Sequence, residues 1–95
     1  MAMPRGPHKQ RTPSLHDDAY ALFVEALVDR RIRSGKSQQA VADALGWNQS
    51  IIAKIENTQR RLDIIELIRI ADVIGFDPAR LVREIHQQLV PADKS

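Results

Sequence analysis

The sequence predicts an all-α domain of five short helices. Apolar residues recur with helical spacing from about Asp18 to Val90 and never alternate, as a half-buried strand would, over a useful length. Each apolar stretch runs into a residue suited to stopping a helix: Gly35, Gly46, Asn57, Gly75 or Pro91. Ser37, Asn48, Asp63 and Asp77 stand where helix starts need a side-chain cap. Ninety-five residues allow one small core and no second.

Before the first helix, residues 1–16 read as a flexible basic arm. Arg5, Lys9 and Arg11 occur there among Pro4, Pro7 and Pro13, and Met1 to Pro13 contains no acid. Such a segment cannot bury apolar surface or sustain a helix. It is either an arm that gathers phosphates or enters a minor groove, or simply an untidy terminus.

The domain proper is expected at residues 17–90, and its first helix runs from about Asp18 to Ser34. There Leu22, Phe23, Ala26, Leu27 and Arg30 fall on neighbouring turns. Ser37 opens a second helix through Leu45, closed by Gly46, and Asn48 opens a third through about Glu56, with Asn57 as its left-handed stop. Asp63 with Glu66 has the spacing of a capping box for the fourth helix, "IIELIRIADVI", which Gly75 ends. Asp77 followed by Pro78 opens the fifth, which stops before Pro91 and leaves residues 91–95 as a tail.

The second and third helices are too short to hold alone in water, so tertiary packing must fix them. Ala40, Val41, Ala44 and Leu45 give the second an apolar stripe, and Ile52 and Ile55 give the third a narrow one. The core is expected to draw on these with Leu22, Phe23, Ala26, Leu27, Ile65, Ile68, Ala71 and Ile74, with Trp47 packed over its edge. Opposite Ile52 and Ile55, the third helix carries Ser50, Ala53, Lys54 and Asn57, with Gln49 and Ile51 at its leading end. A short, polar, acid-poor helix face suits a DNA major groove, where amides and hydroxyls meet base edges.

Other functions are poorly served. The chain has no cysteine, hence no disulfide framework and no thiolate zinc site. His8, His16 and His86 are scattered without a Glu-x-x-His or Cys/His constellation, and the acids of "HDD" at His16 to Asp18 are better read as helix-start charges. With no glycine-rich phosphate loop and no nucleophile beside a base, neither an enzyme nor a cofactor is expected. No run reaches the roughly 20 apolar residues of a membrane span, and no apolar signal-peptide core is present, so a soluble cytoplasmic protein is expected, nucleoid-associated when on DNA.

From Leu27 to Leu81 the chain resembles the Cro/CI-type, or XRE, family of helix-turn-helix regulators. The matching features are Arg31 four before Gly35, Ser37 with Gln38, Ala42, Gly46, the helix "NQSIIAKIEN" with Glu56, then Arg60 and "IIELIRIADVIG". It departs at Thr58, where the family often has glycine, at Leu62, where proline is frequent, and at Trp47. The resemblance implies a lambda-repressor-like domain with its helix-turn-helix at the second and third helices. It also implies a double-stranded DNA-binding regulator, usually a homodimer on a pseudo-palindromic operator, and a repressor is expected.

Gln49 is the best candidate to pair with adenine N6 and N7; Ser50 suits a base edge or a phosphate, Ile51 a thymine methyl or the core, and Lys54 a guanine or a phosphate. Gln38, at a helix N-terminus, suits a phosphate, as do Asn48, Asn57, Arg60 and Arg61. The resemblance further implies that Gln38 braces the first residue of the recognition helix and that Arg31 pairs with Glu56. On the fifth helix Leu81, Val82, Ile85 and Leu89 form a stripe for a second copy or for the monomer core. The competing function is an antitoxin-like or adaptor module that binds an unidentified protein, with DNA binding secondary.

Overall fold

The computed structural model describes residues 18–90. The arm residues Arg5, Lys9 and Arg11 and the tail 91–95 lie outside them. Five helices follow in order: α1 Asp18–Arg33, α2 Gln38–Leu45, α3 Gln49–Glu56, α4 Ile64–Ile74 and α5 Pro78–Leu89. Among the described residues there is no strand.

Local chemistry sets the boundaries. The Ser37 side chain accepts from the Ala40 amide to start α2, and Asp77 does the same for Ala79 at the start of α5, with Pro78 in the first turn. Asp63 and Glu66 form the full capping box of α4, each side chain accepting from the other's backbone N–H. Asn48 takes the extended cap conformation at the start of α3, yet its side chain makes no cap bond.

α2 ends with Gly46 left-handed at φ 75°, where the Trp47 amide donates to the Ala42 carbonyl at 2.9 Å and the Gly46 amide to Asp43 at 3.2 Å. The end of α3 corrects the expectation for Asn57, which sits at φ −90°. The left-handed residue there is Thr58, at φ 58°. The same bond pair closes this turn, from the Gln59 amide to Lys54 at 2.8 Å and from the Thr58 amide to Ile55 at 3.1 Å. In this motif the left-handed residue lies one place beyond the cap, which selects Thr58 over the intrinsically better suited Asn57.

α2 packs on α3 and α4, α1 lies across α3 and α5, and α4 meets α5. The common core holds Leu27, Val41, Ala42, Ile52, Ile55, Leu67, Ile70, Ile74 and Leu81. Trp47 packs on its edge, partly buried. Three expectations are corrected here. In α1 Val24 is buried, whereas Leu22 is only half-buried and lies outside the core. In α2 the buried stripe is Val41 and Ala42 with Leu45 beside them, and Ala40 and Ala44 face solvent. In α4 Leu67 and Ile70 occupy the core, while Ile65 and Ile68 are exposed. Eight of the eleven α4 residues are apolar, so periodicity alone did not select the buried side.

The fifth helix closes the core from within one chain. Leu81, expected in the stripe for a second copy, is fully buried, and Ile85 packs partly buried beside it. Full burial of such a leucine stabilises the fold by about 2 kcal/mol. Val82 and Leu89 stay exposed, at 49% and 52%.

Candidate nucleic-acid interface

The tight turn at Gly46 and Trp47 holds α3 against α2 and α1, with Ile52 and Ile55 pointing inward. The opposite side of α3 is left uncovered. Ser50, Lys54 and Asn57 are exposed along it, and Gln49 and Ala53 are half-buried. Asn48, also exposed, stands at the leading edge. Ile51 turns partly inward and packs against the core, which reduces what it can offer a thymine methyl.

A chain of polar contacts fixes the leading end of α3. Arg31 of α1 grips Glu56 with two bonds, Nε to Oε2 at 2.6 Å and Nη2 to Oε1 at 2.9 Å, and donates a third to the Lys36 carbonyl. Both partners are largely buried, with side-chain exposures of 13% and 9%. The hydrogen bond to Glu56 raises the pKa of Arg31 further. Glu56 Oε1 also accepts from Gln38 Nε2 at 2.8 Å, and Gln38 Oε1 accepts from Gln49 Nε2 at 2.7 Å. The first residue of α3 is thus tied to both preceding helices.

Beyond α3 both arginines have partners within the chain. Arg60 Nη1 and Nη2 donate to the two Glu66 carboxylate oxygens at 3.2 and 2.9 Å. The fork geometry of guanidinium matches a carboxylate, and Glu66 is already held by the capping box. Arg60 in turn holds the Glu66 carboxyl below the usual carboxylate range. Arg61 is exposed as a residue, with its guanidinium 4.1 Å over the Tyr20 ring. Burial pushes the Tyr20 hydroxyl up. Sequence reasoning missed the Arg60–Glu66 and Arg61–Tyr20 pairs. Only the first left a trace, in the capping-box glutamate six residues on.

Comparison with known proteins fits this geometry. A helix-turn-helix family model matches residues 27–81. A solved structure of an XRE-family like protein from Pseudomonas syringae pv. tomato is 34% identical, with a TM-score of 0.74, and the match covers 81% of this chain and 93% of that one. The chain belongs to the XRE-type helix-turn-helix family. It is a DNA-binding helix-turn-helix regulator by that membership, and no curated protein matches it. Among the described residues, no helix of this XRE-type domain is long and apolar enough to cross a membrane.

Proposed function

We propose that the protein is a sequence-specific transcriptional repressor that binds a pseudo-palindromic operator as a homodimer, with α3 of each copy in the major groove. The observation that carries this reading is the uncovered polar face of α3, led by a Gln49 that the Gln38 bond holds in place. Gln49 reads adenine through N6 and N7, with Ser50, Lys54 and the outer part of Ile51 beside it. Gln38 at the start of α2, Asn48, Asn57 and Arg61 meet backbone phosphates and set register, and Arg5, Lys9 and Arg11 add charge from the arm. Arg60 serves this surface by holding the loop.

Val82 and Leu89, exposed on α5, with Ile85 between them, supply the contact between copies. Such an arrangement sets two recognition helices about 34 Å apart, one turn of DNA. The protein works in the cytoplasm, on the nucleoid when bound.

The test is a binding titration on DNA upstream of the protein's own gene, with scrambled competitor, at two salt concentrations. A saturable complex about 10³-fold or more tighter than nonspecific binding is expected. Weak binding to that DNA, abolished by competitor or salt, counts against autoregulation and favours the second reading, a protein-interaction module with secondary DNA binding. The specific observation on that side is the exposed Ile64, Ile65 and Ile68 on α4.

A further inference from the structure

We propose that Glu56, largely buried and held by Arg31 and Gln38, is a specificity-determining positioning residue that makes Gln49 favour adenine over guanine. The inference rests on the reading of Gln49 as a base-contacting residue. It follows from counting donors and acceptors along the chain of contacts from Arg31 to Gln49.

Arg31 has only donors, and it occupies both oxygens of Glu56. Glu56, as a carboxylate, has only acceptors. Its contact with Gln38 at 2.8 Å is therefore made by the Gln38 nitrogen. That leaves the Gln38 oxygen on the side of Gln49, 2.7 Å from its side-chain nitrogen. An amide can ordinarily turn end for end at little cost, but here each orientation is dictated by the one before it, back to a guanidinium that cannot accept.

One Gln49 N–H is consumed by this chain. What remains for a ligand is one N–H and the side-chain oxygen. Adenine presents one acceptor, N7, and one donor, N6, in the major groove, and matches this pair. Guanine presents two acceptors, N7 and O6, and would need two donors. An unbraced glutamine could offer both N–H groups, and Gln49 in this setting cannot. The charge on Glu56 thus reaches the base edge through two amides without any movement of the backbone.

The experiment is selection of bound duplexes from a randomised library by the full-length wild-type protein and by Gln49→Ala, Gln38→Ala and Glu56→Gln, each checked for folding by circular dichroism. Gln49→Ala marks the base position concerned by abolishing its preference. At that position, Gln38→Ala frees the second N–H of Gln49. Glu56→Gln can present either an oxygen or a nitrogen to Gln38, so both amide polarities become accessible. Each variant is expected to lower the adenine-to-guanine ratio there about tenfold, leaving preferences at other positions in place. Gln38→Ala tests the link between Gln38 and Gln49, and Glu56→Gln tests Glu56 itself: a folded Glu56→Gln protein with the wild-type adenine-to-guanine ratio would overturn the inference.

A uniform loss of affinity in Gln38→Ala with the ratio unchanged would overturn the inference and leave Gln38 a phosphate contact. A Gln49→Ala protein that keeps the wild-type preferences would overturn the reading of Gln49, and this inference with it.

Discussion

The turns on either side of α3 are closed by the same pair of backbone bonds around different residues. At Gly46 the left-handed conformation is native to the residue, and a β-carbon built there meets nothing within 4 Å. At Thr58 a β-branched side chain takes the same region at φ 58°, a conformation that costs on the order of 1–3 kcal/mol. The second turn survives because its surroundings determine it several times over. Besides the Gln59 bond, the Arg60 amide reaches the Lys54 carbonyl at 3.2 Å, the Arg60 side chain is tied to Glu66, and Arg61 lies on Tyr20. A turn can therefore be specified by its own residue or by the side chains that follow it, and α3 has one of each kind.

The largest disturbance removes the ion pair that ties α1 to the end of α3. Arg31→Met should strip Glu56 of its ion pair while keeping much of the side-chain volume, lowering stability by about 3 kcal/mol in urea titration. Gly46→Thr places at the first turn the residue type the second one tolerates. The β-carbon itself meets no atom, so the loss of about 2 kcal/mol expected in the same titration is chiefly conformational. A loss at Gly46 no larger than a few tenths would mean that the two turns are equally tolerant.

Thr58→Gly should act in the opposite direction. Relief of strain exceeds the added entropy of the unfolded chain, and a gain of about 1 kcal/mol is expected, read as a higher thermal midpoint.

Arg60→Ala should have the smallest effect at neutral pH, about 0.5 kcal/mol, because the pair is partly solvated. Its signature is in acid. Glu66 has a depressed folded-state pKa, so its contribution is complete above the unfolded value near 4.3 and is lost as pH falls through the lower folded value. The variant should lose less stability than the wild type between about pH 5 and pH 3. An identical acid limb in both proteins would remove Arg60 from the account of the turn.

All five helices were legible in the sequence because caps, glycines and periodicity agreed at nearly every boundary. The misassigned faces share one cause. In α4 apolar residues occupy most of the circumference, so only the arrival of α2 and α5 decides that Leu67 and Ile70 are inside and Ile65 and Ile68 outside. Leu81 had the correct amphipathic placement, but periodicity does not say whether an apolar face meets its own chain or another. The polar face of α3 could be drawn from spacing, whereas the fate of Arg60 depended on Glu66 being turned back toward the loop by its capping bond. Local pattern located the elements, and the partners across space assigned their faces.

The brevity of α3 sets a limit on addressing. Eight residues make a helix of about 12 Å, the length of roughly four base pairs. A four-letter word recurs by chance about every 250 base pairs, far too often to single out one locus among the 10⁶ or more competing sites of a genome. Two such words at fixed spacing recur only about once in 65,000 base pairs, and neighbouring contacts must supply the remaining information. For a domain this small, pairing is thus a question of vocabulary: one copy can spell a syllable, and a site on the chromosome needs at least a word.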